Sequence, residues 1–137
     1  MSSTDETRWK QRLASFRKAL AQLSEACTQE SYSNLERAGL VQMFSFCFEL
    51  SWNVLKDLLL YEGYDEKVPR SVIRRSFAVE YIDEQDCELL LEAMGKRNIL
   101  NHAYQESAAR EAEMLIKNRY HPVLVRLHST LSARANR

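Results

Sequence analysis

The 137-residue chain reads as an all-α protein, an antiparallel bundle of four to five helices in one domain over residues 1–137. Three observations predict this class. Apolar residues recur at three- and four-residue steps nearly everywhere, no stretch alternates as a half-buried strand does, and only three glycines and two prolines punctuate the chain. Connections are then short enough to keep successive helices side by side.

In the first helix Trp9, Leu13, Phe16, Leu20, Leu23 and Cys27 step by four, three, four, three and four, the narrow seam of a helix packed on another helix. Asp5 and Thr7 can supply its start. Ser33 followed by Glu36 has the spacing of a capping box, in which each residue's side chain satisfies the other's backbone N–H. The second helix runs from there to about Tyr61 and stops at Gly63. Phe44, Phe48, Ser51, Leu55 and Leu58 make one face of it, and Met43, Phe46, Leu50, Val54 and Tyr61 a neighbouring one. Together these cover more of the circumference than one bundle core requires, which predicts a second burial surface and hence a homodimer.

The connection "EGYDEKVPR" leads into a short helix, "RSVIRRSFA". A fourth helix begins near Asp83, and Ser107 restarts helix with Met114, Leu115, Val123, Leu124, Leu127 and Leu131 as apolar positions. Pro122 lacks an N–H and crowds the preceding turn, so a kink or break is expected there.

Nineteen cationic and nineteen anionic side chains cancel, which removes any long-range pull toward nucleic acid or anionic lipid and leaves no expectation of DNA binding. The charge is unevenly placed, however: residues 77–94 carry six acidic side chains and no Lys or Arg, whereas residues 96–137 carry eight basic and three acidic ones. Cys27, Cys47 and Cys87 form no CxxC and are odd in number, as reduced core thiols would be. No run approaches the ~18 to 20 apolar residues of a membrane span, and the N-terminus has no apolar signal core. A soluble, cytoplasmic protein is expected.

The sequence offers no HExxH, clustered His pair, GxGxxG, P-loop or GxSxG pattern, so neither a metal site nor a bound cofactor is expected. The chemically able groups gather instead in "GKRNILNHAYQE": Arg97, Asn98, Asn101, His102 and Tyr104, where the buried pattern "CELLLEAM" stops. On a continuous helix each residue advances ~100°, so Arg97 and His102 would point ~140° apart. They converge only if the helix ends around residues 100–102, or if two subunits each supply one group. Joined, a neutral imidazole and a guanidinium suffice to cleave RNA without metal, by taking the 2′-OH proton and binding the phosphate as its charge grows. The alternative on spacing alone is a polar cluster that caps a helix end.

"RNILNHAY" resembles the Arg, polar residue, three residues, His, any residue, Tyr pattern of HEPN (higher eukaryote and prokaryote nucleotide-binding) proteins. With "RWKQRLASFRKALAQL", "FSFCFELSWNVLKDLL" and "PRSVIRRSF", the chain resembles the nucleotidyltransferase substrate-binding branch of that superfamily, whose members are similar to the toxins paired with a minimal nucleotidyltransferase antitoxin. The resemblance spans most of the chain. It implies a helical homodimer with the motifs of both subunits at a shared cleft, an RNA substrate, His102 as acid or base, Arg97 as phosphate binder and Asn98 at the motif's polar position. Tyr104 matches a tyrosine adenylylated by the partner enzyme, which brings ATP and magnesium. Leu100 and Asn101 depart from the smaller, hydroxyl-rich run of relatives, and some members of the branch serve only as substrate-binding subunits without ribonuclease activity.

On the second helix Gln42, Ser45, Glu49, Asn53 and Lys56 form a polar stripe, either simply facing solvent or turning Glu49 toward the cleft to orient Arg97 or His102. Trp52 belongs with the core. Lys96, Arg70, Arg74 and Arg75 either rim the site for RNA or only charge the surface.

Overall fold

The computed structural model describes the backbone of residues 3–101 and 106–137 and the side chains of residues 3–96 and 107–137. Among these residues every regular element is helical: α1 (Ser3–Ala26), α2 (Asn34–Tyr61), α3 (Pro69–Ala78), α4 (Glu84–Asn101), α5 (Glu106–Leu115) and α6 (His121–Ala135), the last two joined by a π turn (Ile116–Tyr120). No described helix is long and apolar enough to cross a membrane.

The helix ends follow local chemistry. Helix α1 is already under way at Ser3, ahead of the start expected at Asp5 or Thr7; the Thr7 hydroxyl donates to the Ser3 carbonyl. Ser33 and Glu36 form the reciprocal capping box, at 3.1 and 2.8 Å. Helix α2 closes with Tyr64 N–H donating to Leu59 O at 2.8 Å, a back-bond that needs the intervening residue left-handed, and Gly63 takes φ +98° there. Helix α3 ends the same way, with Tyr81 N–H on Ser76 O, but the left-handed residue is Glu80 at φ +68°. The Asp83 carboxylate accepts from Asp86 N–H and starts α4.

Charge pairs set helix directions. Arg12, early in α1, meets Asp57, late in α2, so the two run antiparallel. Glu92 pairs with Arg119 and Asp86 with Arg126, which makes the chain after α5 antiparallel to α4. Asp86 and Glu92 of the acidic stretch thus pair with Arg126 and Arg119 of the basic one and join α4 to the chain after α5. Ser24 with His121, and Phe16 with His128, likewise run α1 against α6.

Trp9, Leu13, Phe16, Leu20 and Leu23 are buried, as the α1 seam predicts, against Phe44, Cys47, Phe48, Val54, Leu55 and Leu58 of α2. Cys27 is only half-buried, unlike Cys47 and Cys87. The second α2 face divides: Val54 is buried, Leu50 and Tyr61 are half-buried, and Phe46 is 62 % exposed. Met114 corrects the expected apolar set, because it points outward at 64 % exposure while Ala109, Ala112, Ile116 and Tyr120 take the inward positions. Small residues there bring α5 close to α2. Of the kink or break expected at Pro122, the chain shows a break, with α5 and α6 as separate helices. One turn earlier, His121 N–H donates to Ile116 O, five residues back, and this wider turn delivers Pro122 to the start of α6, where its missing donor is no loss.

Candidate functional site

The backbone of α4 stays helical through Asn101, so Arg97 and Asn101, four apart, share one face and Asn98 stands ~100° round from Arg97. The side chains of Arg97, Asn98 and Asn101, and the whole of His102 and Tyr104, lie outside the described residues. The expected convergence of Arg97 and His102 thus lies outside the described residues. What the structure does describe is the frame: α2, α4 and α5 pack on one another, and Lys96 with Glu111 sets α5 beside this end of α4.

Two ion pairs brace that frame. Lys96, the last described side chain before the motif, lies 3.8 Å from Glu111 of α5. Arg37 of α2, 8 % exposed, donates from Nε to Glu113 of α5 at 2.8 Å and from an Nη to Asn34. A buried guanidinium needs such partners, and here they fix α5 to the start of α2. Gly95 sits in α4 two residues before Arg97, with open space where a Cβ would stand.

The polar stripe of α2 is not fully solvent-facing. Gln42 is exposed, but Ser45, Glu49, Asn53 and Lys56 are half-buried. Glu49 accepts a hydrogen bond from the Trp52 indole N–H at 2.8 Å, and the Asn53 amide donates to the Glu49 carbonyl at 2.8 Å. Trp52, expected in the core, packs at its edge and orients a carboxylate. The Glu-x-x-Trp spacing, one helical turn, was the signal for this pair. Ser45 Oγ is buried with no hydrogen-bond partner among the described residues. Any contact of Glu49 with Arg97 or His102 falls outside the described residues.

Other candidate chemistries recede. Burial raises the pKa of all three thiols, Cys47 to about 12, so none is a thiolate nucleophile at neutral pH. His121 bonds Ser24 at 2.7 Å and His128 meets the Phe16 ring edge-on, and burial lowers both pKa values, which marks them as packing groups. Among the described residues no three His, Cys, Asp or Glu side chains gather in a metal-binding group.

Residues 11–133 match the family described as nucleotidyltransferase substrate binding protein like. The fold is similar to the crystal structure of a protein from Thermus thermophilus, with a TM-score of 0.76 and 30 % identity over 89 % of this chain and 99 % of that one. No curated protein is significantly similar in sequence.

Proposed function

Because the chain belongs to the nucleotidyltransferase substrate-binding-like family, we propose that it is the helical partner of a nucleotidyltransferase and works through the motif at the end of α4. The observation that carries this reading is the family match running unbroken from α1 to α6 and across that motif. In the finer form of the proposal the chain is a homodimeric, metal-independent ribonuclease toxin of a toxin–antitoxin pair. The His102 imidazole takes the 2′-OH proton, the freed oxygen attacks phosphorus, and the 5′-oxygen leaves with a proton from solvent water, giving a 2′,3′-cyclic phosphate and a 5′-hydroxyl. Arg97 holds the phosphate as its charge grows, with Asn98 and Asn101 beside it. Glu49, kept in place by Trp52, is the carboxylate we assign to orient one of these two groups.

Silencing follows from the same place. The Tyr104 hydroxyl attacks the α-phosphorus of ATP held with magnesium by the partner enzyme, pyrophosphate leaves, and the tyrosyl-AMP adds negative charge where an RNA phosphate would lie. The exposed Phe46 and Met43 on α2 support a homodimer, since a helix that leaves such side chains in water gains by covering them. The family description itself favours a second reading, a substrate-presenting subunit without ribonuclease activity.

RNA incubated with the purified chain in EDTA separates the two. Cyclic-phosphate ends that vanish in Arg97→Ala and His102→Ala, with helical content and melting temperature unchanged, support the ribonuclease. Intact RNA, together with an AMP mass increment lost in Tyr104→Phe, supports the presenting subunit. Intact RNA with no nucleotidyltransferase binding overturns both.

A further inference from the structure

The loop before α3 and the outer side of α3 border a shallow, open groove of about 400 Å³ lined by Glu66, Val68, Arg70, Ser71, Arg74, Arg75 and Ala78. Its three guanidiniums face one carboxylate, and that carboxylate is already engaged: Glu66 accepts from Arg75 Nε at 2.9 Å, while the Arg75 guanidinium lies 5.4 Å over the Tyr64 ring. Arg70 and Arg74 make no ion pair or hydrogen bond among the described residues, though both are exposed and stand four apart on one helix face. Like charges at that spacing repel, so an anion between the two would relieve both.

The rest of the groove is apolar. Val68, 56 % exposed, Ala78 and the aliphatic stems of the arginines form its walls. Its volume is within the ~300 to 1,000 Å³ of small-molecule sites. Two forks one helical turn apart can close on a tetrahedral phosphate from two sides, and guanidinium planes and apolar walls accept the face of a base. Ser71 adds a hydroxyl whose proton is given to Val68 O at 3.1 Å, leaving its lone pairs toward solvent.

We propose that the α3 groove binds the phosphate of a nucleotide, with Arg70 and Arg74 as its ligands and Arg75 held by Glu66 and Tyr64 as the fixed wall. The choice of a nucleotide over another phosphate ester rests on the nucleotidyltransferase reading; the phosphate itself rests on the groove. The source is either a free mononucleotide or a residue of an RNA strand, and both contain the same chemistry.

The test titrates the full isotopically labelled chain with AMP and, separately, with a short 2′-O-methyl oligoribonucleotide, which cannot form a cyclic phosphate and so stays whole. Amide shifts at Ser71 and Ala78 are expected. Arg70→Gln with Arg74→Gln should weaken binding tenfold or more and reduce the slope of log K against log salt by about 1.4, two contacts at ~0.7 each for a single strand. The same charge change at Lys10 and Lys18 should leave binding within twofold. Shifts with AMP identify a mononucleotide site, and shifts with the oligonucleotide alone identify a strand site; either supports the proposal. Unmoved α3 amides with both probes, or a glutamine pair that binds like the native chain, overturns it. Neither readout needs RNA cleavage or modification of Tyr104, so failure of those activities leaves this result standing, and the reverse.

Discussion

Replacing Tyr120 by Phe isolates one hydrogen bond at the junction of α4 and the final helix. The Tyr120 side chain is fully buried, its ring stacks on Phe44 with centroids 5.5 Å apart, and its hydroxyl donates to Glu92 at 2.7 Å. The substitution keeps the ring and the stacking. A hydrogen bond to a charged group contributes about 1.5–3 kcal/mol, but the Glu92 side chain is 35 % exposed, so water replaces part of it and ~1–2 kcal/mol is expected. For a domain of this size that is about 3–8 °C in melting temperature. Arg119 also holds Glu92, bidentately at 3.0 and 2.9 Å, but from solvent, so Arg119→Gln should cost less. The pH dependence has a definite sign. Arg119 first, and Tyr120 second, hold the Glu92 carboxyl below its ordinary pKa. Their contribution is therefore present above the unfolded glutamate value of about 4.3 and is lost as pH falls through the lowered folded value. Thermal melts followed by circular dichroism at pH 7 and pH 3 should show the gap between native and Tyr120→Phe chains closing in acid. A gap that is the same at both values, or Arg119→Gln the costlier change, would refute the reasoning.

Burial lowers the pKa of His121 and His128, with Arg17 adding to the shift at His128. Stability linked to them is complete above the unfolded histidine value of about 6.5 and declines as pH drops toward the lower folded values; melting temperatures from pH 7.5 to 5 should fall, and less steeply in His121→Asn. Ser33→Ala removes the acceptor of the α2 capping box and should cost about 0.5–2 kcal/mol in urea unfolding with an unchanged m-value; a midpoint equal to that of the native chain would refute the cap's role.

Much of the fold is legible in the sequence because its signals are local. The Ser33–Glu36 box, Gly63 and Asp83 each act within one turn, and each falls where the helix boundary is observed. The π turn is not local in this sense. Pro122 announces a disturbance, but whether the chain kinks or widens depends on which side of Tyr120 must face the core, and that is settled by Phe44 and Glu92 from other helices. Met114 misleads for the same reason: small alanines, weak signals in a hydropathy pattern, take the inward face of α5. At the site, the helical register of Arg97, Asn98 and Asn101 is readable from spacing. The α3 groove is only partly so, since it needs Glu66 and Tyr64 folded back onto Arg75 from the preceding loop.

The wide turn at Ile116–Tyr120 separates two mechanical duties. Beyond it, α6 is zipped to α1 through Ser24 and Phe16, whereas before it α5 is held to α2 by the Arg37–Glu113 pair and to α4 by Lys96. Backbone bonds spanning five residues give a softer joint than an unbroken rod, so strain applied to α5 by a guest at the neighbouring motif would be absorbed at the joint. Deuterium uptake should then rise across α5 long before the α1–α6 seam begins to exchange.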